Sequence, residues 1–362
     1  MLKKHYILIF TLLIVLVLIS AKTKEDEYIP LEPYKFVYPS NFGNKITIPA
    51  DNPTTKQGVF LGRMLFYETK LSSNNKVSCA TCHQQKLAFT DGKQFSIGVD
   101  NVPTERNSMS LTNLLWVNNF FWDGRAKGLE QQTNEPLTNP HEMGNSVKES
   151  IKKLKKTKEY PHLFKQVFGT NEITGNRIQK AISQFERTLI SADSRYDHYL
   201  RGEYKPTEEE QTGMNLFMTS PNSEKNIRGA DCAHCHGTPK TFIEQYHNNG
   251  LDLNPKDLGR KKVTGLPNDK GRFRIATLRN IALTAPYMHD GRFKTLEEVL
   301  DHYSDHIQPS ATLSPFLQTK ENNGLKLTAQ EKQNIIHFLK MLTDSTFINN
   351  PEFSDPKKLT LK

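Results

Sequence analysis

Cys-x-x-Cys-His occurs twice in this 362-residue chain, at Cys79-Ala-Thr-Cys82-His83 and at Cys232-Ala-His-Cys235-His236. The two copies use all four cysteines. Two thiols one helical turn apart can each add to a vinyl group of one haem. The adjacent histidine then sits beneath the iron as its proximal ligand. Each motif therefore predicts a short helical turn facing a large, flat, apolar group. Rival readings are weaker. A zinc site would need the fold to bring together cysteine pairs roughly 150 residues apart. A thioredoxin-like motif would need a βαβ context that is missing. Plain disulfides leave both histidines unexplained. The expected cofactors are two covalently bound haem c groups.

The motifs end two copies of one unit. In the first, Thr54 and Gln57 mark a helix start, and Val59, Leu61, Met64, Leu65 and Phe66 supply its apolar face. The loop Leu71–Asn75 then leads to Cys79. In the second, Thr207 with Glu210 forms a capping box ahead of Met214, Leu216, Phe217 and Met218. Ile178, Ala181, Ile182, Phe185 and Leu189 make another stripe. Thr295 with Glu298 caps Leu296–Tyr303, and Thr328 with Glu331 caps a last helix carrying Ile335, Ile336, Leu339 and Leu342. Strand signals are scarce. The expected fold is mostly α: two c-type cytochrome domains in tandem with long loops, the haems facing a shared interface. The N-terminal domain spans 45–205 and the C-terminal domain 206–345. The tail, 346–362, offers no role. Hydrophobic residues are only 36% of the chain; two buried haems would supply the missing apolar surface.

Residues 1–21 read as a signal peptide or N-terminal anchor: Lys3-Lys4, the apolar run Ile7–Ile19, then Ser20-Ala21. The run is short for a membrane span, Ile19 is a poor −3 residue, and no cysteine follows to carry a lipid. Residues 22–44 form an irregular lead-in. The expected location is the periplasm or the outer face of the cytoplasmic membrane, with a membrane tether if the leader is kept. Lys and Arg number 48 against 39 acidic residues, a net charge of +9. The densest basic run, Lys148–Lys158, reads as a solvated helix face or a docking patch for an acidic redox partner. No aromatic interleaving supports nucleic acid.

An ordered series of further blocks accompanies the motifs: Leu61-Gly-Arg-Met-Leu-Phe66, Phe89-Thr-Asp-Gly92, Phe121-Trp-Asp-Gly-Arg125, Gln132, Pro136, Glu142-Met143, Thr277-Leu-Arg-Asn-Ile281 and Pro286-Tyr-Met-His-Asp-Gly291. From about Pro49 to Thr343 the chain thereby resembles the bacterial di-haem cytochrome c peroxidases, whose relatives include the methylamine-utilisation enzyme MauG. The resemblance implies a peroxidatic haem on His83 and an electron-transfer haem on His236. Gln132 and Glu142 match the family's distal pair. A carboxylate beside peroxide can carry its proton from the near oxygen to the far one, so that water leaves; an amide can orient the peroxide. Trp122 matches the aromatic bridge between haems; a core Trp packed on a haem edge is the plain alternative, and the two are compatible. Asn107, Thr284 and Pro286 match positions that ligate calcium between the domains. Arg125 and His289 are expected at haem propionates, with ordinary hydrogen bonding an equal alternative.

Two departures matter. Where many members carry a displaceable distal histidine, this chain has Val99, which cannot ligate iron; His141 is the nearest residue able to replace it. At the C-terminal haem the usual axial methionine position falls on Tyr303, as in MauG-like enzymes, with Met288, His302 and His306 as competitors. A phenolate stabilises ferric iron relative to a thioether. The implied activity is reduction of hydrogen peroxide to water with electrons from a small donor protein such as a cytochrome c. The alternatives are a MauG-like oxidase, acting on a protein substrate through a high-valent iron state, and a non-catalytic electron carrier. A homodimer is the common assembly in the resembled family.

Overall fold

Local capping fixes where the helices begin. The computed structural model describes residues 30–222, 224–237, 239–318 and 324–359; the leader lies outside them. The first half holds α1 (Lys56–Phe66), α2 (Cys79–Cys82), α3 (Leu129–Thr138), α4 (Val147–Lys155), α5 (Glu159–Phe168) and α6 (Gly175–Glu186). After α7 (Arg195–Leu200) come α8 (Glu208–Met218), α9 (Cys232–Cys235), α10 (Lys261–Thr264), α11 (Leu296–Asp305), α12 (Ala329–Met341), α13 (Ser345–Asn349) and α14 (Pro356–Leu359). The three capping boxes expected from sequence all form, at α8, α11 and α12. The cap of α1 is Thr55, not Thr54. Gln184 on α6 accepts the Thr55 N–H at 3.0 Å, and Thr55 Oγ1 in turn accepts from Gly58 N at 3.0 Å, so the helix starts one residue later.

Two hydrophobic cores result. In the first, α1 packs against α6, burying Leu61, Leu65 and Phe66 beneath Ile178, Ala181, Ile182 and Phe185; Phe66 meets Phe185 edge-on at 5.3 Å. Leu189 is buried there too, beyond the end of α6. In the second, α8 packs against α12, with Phe217 and Phe338 at 5.0 Å. Burying each such ring is worth about 1.5–3 kcal/mol. The cores interleave along the chain. Tyr196, ahead of residue 205, belongs to the second core, whereas Phe242, Ile275, Phe347 and Phe353 belong to the first.

The tail has a structural role that the sequence did not reveal. Tyr67 Oη donates to Phe353 O at 2.6 Å, Arg63 Nε donates to Ser354 O at 2.6 Å, and Gln85 Nε2 donates to Asn350 O at 2.8 Å. Residues 346–359 thus close over α1 and the loop after His83. The basic run is helical in α4 and is not wholly solvated: Lys153 Nζ donates to Ser72 O at 2.6 Å, bracing the loop that leads to the first motif. The described sheet is two antiparallel ribbons, β1 (Asn119–Phe120) with β2 (Ala126–Lys127) and β3 (Tyr246–His247) with β4 (Phe273–Arg274). No helix of the described residues is long and apolar enough to cross a membrane.

Candidate functional site

Each motif forms a single helical turn, α2 and α9. After α2, Ala88 and Phe89 both take left-handed backbone, with φ of 49° and 61°. They turn the Phe89 carbonyl back onto His83 Nδ1 at 2.8 Å. Ser108 Oγ donates to Cys82 O at 2.9 Å and lies 3.4 Å from the same ring nitrogen. In the second motif His236 Nδ1 lies 3.2 Å from Ala276 O and 3.3 Å from Thr241 O. Carbonyls only accept, so Nδ1 carries the hydrogen in both rings and Nε2 keeps its lone pair. Burial pushes His83 below its ordinary value and His236 down to about 4. Neutral imidazole is the ligating form. All four thiols are unpaired, and burial pushes each of them up. Protonated thiols in apolar surroundings, one turn apart beside a neutral histidine, fit the chemistry of covalent haem attachment.

The segment after α3 forms a wall beside the loop that leads to the first motif, where Ser73 N donates to Met143 O at 2.9 Å. That helix carries half-buried Gln132 and ends in a tight turn, where Asn139 O accepts from Glu142 N at 3.0 Å and Gly144 N at 2.9 Å. Asn139 Nδ2 donates to Glu142 Oε1 at 2.8 Å. Burial raises the Glu142 carboxyl above the usual carboxylate range; the Asn139 hydrogen bond opposes the shift, Glu135 adds to it and Arg125 subtracts. Glu142 is close enough for its charge to reach both Cys79 and Cys82, which sets it near the first motif.

The loop that would supply a distal histidine runs alongside. Val99 N donates to Glu142 O at 2.9 Å. A Cβ on Gly98 would sit 2.1 Å from His141 O, so only glycine lets the loop come this close. Val99 packs on the first core and brings an aliphatic group to that wall. His141 does not close the site: it is exposed, and its Nδ1 is held 2.6 Å from Asp100 Oδ2. Arg125 is already matched by carboxylates, with Asp123 at 3.1 Å and Glu135 at 2.9 Å, and lies 3.7 Å above the Phe121 ring.

Cys232, Cys235 and His236 line a largely apolar cavity whose wall also carries Met288 and Tyr303. One amide joins these two candidates. Asn249 Nδ2 donates to Tyr303 Oη at 3.2 Å and lies 3.3 Å from Met288 Sδ. Burial pushes the Tyr303 phenol up to about 12, with the Asn249 contact opposing. His302 and His306 drop out. His302 Nε2 is taken by Asn249 O at 3.0 Å, and His306 is exposed at the end of α11. Asn249 itself escaped sequence reasoning, because a polar loop residue carries no periodic or motif signal.

Trp122 occupies the turn between β1 and β2 and lines the same cavity. The turn needs Gly124, at φ 70°, where a Cβ would lie 1.8 Å from Tyr246 Oη. Trp122 Nε1 donates to Asn107 O at 2.9 Å, and the next residue, Ser108, touches His83. Trp122 thus shares the cavity of the second motif and bonds the residue next to Ser108, which touches His83. Asn107 N donates to His289 O at 2.8 Å. The His289 ring stacks on Phe273 at 3.7 Å and meets Trp122 edge-on at 6.5 Å. Asn107, Thr284 and Pro286 line this cavity together.

The family profile described as "Di-haem cytochrome c peroxidase" matches residues 56–205. The chain is 34% identical over 301 residues to methylamine utilization protein MauG of Methylorubrum extorquens, covering 81% of this chain and 80% of that protein. It is also 34% identical over 340 residues to cytochrome c551 peroxidase of Nitrosomonas europaea, covering 90% and 86%. Among solved structures, a MauG-like protein associated with microbial copper homeostasis superposes with a TM-score of 0.78 at 37% identity, over 93% of this chain and 100% of that one. Likeness of this extent, spread over nearly the whole chain and both haem motifs, makes this protein a member of the di-haem cytochrome c peroxidase family, whose cofactor is haem c.

Proposed function

We propose that this chain reduces hydrogen peroxide to water outside the cytoplasmic membrane, using two electrons from a small redox protein such as a cytochrome c. The reading needs two c-type domains in tandem, 45–205 around His83 and 206–345 around His236, meeting at Trp122. Haem c, when bound, supplies one-electron chemistry and, where its far face is open, a place for peroxide. The residues of the chain do the rest. Glu142 takes the proton from the near oxygen of peroxide and returns it to the far oxygen, so that the leaving group is water. Asn139 holds that carboxyl in position at 2.8 Å. Gln132 orients the peroxide, and Val99 offers nothing that could block it. His236 and Tyr303 would together hold the haem attached at Cys232 and Cys235, and Trp122 would relay electrons towards Asn107, Ser108 and His83. Asn107, Thr284 and Pro286 would hold calcium through neutral oxygens; among the described residues no group of three or more His, Cys, Asp or Glu competes for a metal.

The observation that carries this reading is the half-buried Glu142 near the first motif while Tyr303 and Met288 line the cavity of the second. Tyr303 also favours a second reading, MauG-like oxidation of a protein substrate, because a phenolate would lower the potential of the second haem. Steady-state turnover separates the two. The haem-loaded protein, not reduced beforehand, is given peroxide and a reduced cytochrome c. Fast donor oxidation in step with peroxide supports the peroxidase. Slow donor oxidation with a long-lived spectral change after peroxide supports protein oxidation. No spectral response to peroxide overturns both and leaves an electron carrier.

A further inference from the structure

Among the described residues, a buried cation in the cavity wall has no anion to answer it. Arg274, on β4, is 8% exposed, and among the described residues it is the one arginine or lysine lining the cavity. Its backbone is fixed, since its N–H donates to Trp122 O at 2.7 Å and it pairs across the ribbon with Tyr246. Its guanidinium is not fixed in the same way. Nε is buried without a hydrogen-bond partner among the described residues. Nη2 meets Met109 Sδ at 3.8 Å, a weak acceptor. Neighbouring arginines differ. Arg106 is paired with Asp123 and Asp257, and Arg292 with Asp252 and Asp290. Glu244, the carboxylate whose charge reaches Arg274, is already bound by the N–H groups of Asn118 and Asn119 at 2.7 and 3.2 Å.

An unpaired buried guanidinium is strongly unfavourable unless whatever fills the space beside it brings an anion. We propose that Arg274 is the counter-ion of a carboxylate on the haem attached at Cys232, Cys235 and His236. The assignment rests on the haem c reading above. The propionates are the anionic side chains of haem, and a guanidinium fork matches a carboxylate in two hydrogen bonds. Arg125, which sequence places at a propionate, is already matched by Asp123 and Glu135. Arg274 also adjoins Trp122, so its charge sits where it bears on electron exchange between the two motifs.

The test starts by counting covalent haems in the wild-type protein. Fewer than two would remove the haem reading itself, and the assignment with it. With two present, the reduction potential of each haem is measured by optical redox titration in wild type, Arg274→Gln and Arg274→Lys. Arg274→Gln is expected to keep both haems and to shift the His236 haem about tenfold towards its oxidised form, about 59 mV for one electron. Arg274→Lys, which keeps the charge, should stay within about threefold of wild type. An unchanged His236 potential in fully loaded Arg274→Gln overturns the proposal, as does a shift confined to the His83 haem. Loss of haem from both variants would make Arg274 a folding residue and overturn it too. Loss from Arg274→Gln alone supports the charge pairing.

Discussion

Beneath both motifs the histidine is held alike, Nδ1 against backbone carbonyls and Nε2 left for iron. Above them the two sites part. The first has a half-buried carboxyl near it, steadied by Asn139, with an aliphatic Val99 beside it. The second faces a phenol and a thioether gathered by Asn249. The near walls draw on neighbouring residues, Phe89 six positions from His83 and Thr241 five from His236, with Ala276 the one distant carbonyl at these histidines among the described residues. The far walls come from segments more distant along the chain. One cofactor can thus be attached twice by the same local code and given two tasks by non-local residues. A proton carrier suits bond cleavage in peroxide, whereas a filled axial position suits electron transfer.

The strongest way to break this comparison is Glu142→Gln. Peroxide reactivity should fall by about 10²–10⁴ in kcat/KM while the His236 haem spectrum stays unchanged. In wild type the carboxylate is the active form, and burial raises its pKa, so activity should fall with decreasing pH from above the usual carboxylate range; the variant should lose that limb. Stopped-flow mixing across pH checks both.

Phe347→Ala asks whether the tail belongs to one site only. Phe347 packs on Phe89 at 5.6 Å, and the Phe89 carbonyl holds His83. The expected loss is about 3–5 kcal/mol in denaturant unfolding. The His83 haem spectrum should broaden and the His236 spectrum should not. Glu186 marks a further difference. Burial pushes its carboxyl up to about 8, and its charge bears on Cys79; at the second motif the corresponding neighbour is half-exposed Asp231. A raised folded pKa contributes stability that is complete below the unfolded value and lost as pH rises towards 8. Glu186→Gln should therefore gain stability over wild type, by as much as about 5 kcal/mol at pH 9, with little difference at pH 4. Melting curves at the two pH values test this. The smallest effect is expected at the second site. Tyr303→Phe should move the His236 haem about tenfold towards its reduced form, and Met288→Leu should leave it in place. The reverse order would exchange their roles.

Sequence carried the helical fold well where a signal was local. The Thr207, Thr295 and Thr328 caps each lie three residues from their glutamates, and all three form. Thr54 misled because Thr55 is an equal candidate and the choice is made by Gln184, 129 residues away. The motif cysteines and histidines were legible for the same local reason. Asn249 and Arg274 were not: each acts through partners far along the chain, and neither belongs to a spacing pattern; Asn139 lies only three residues from Glu142, but a lone turn asparagine carries no periodic signal. The tail looked idle because its buried Phe347 and Phe353 are too few to show periodicity, yet they complete the first core.

Which haem meets peroxide decides the roles of the two sites. The direct measurement is rapid mixing of the oxidised, haem-loaded protein with peroxide, freeze-quenched at intervals, with the two haem signals followed by electron paramagnetic resonance. The His83 haem signal should change first. Glu142→Gln should slow that change about 10²-fold or more, and Tyr303→Phe should leave it within about twofold. A first response from the His236 haem, or a Glu142→Gln protein that reacts as fast as wild type, would contradict the assignment of the two sites.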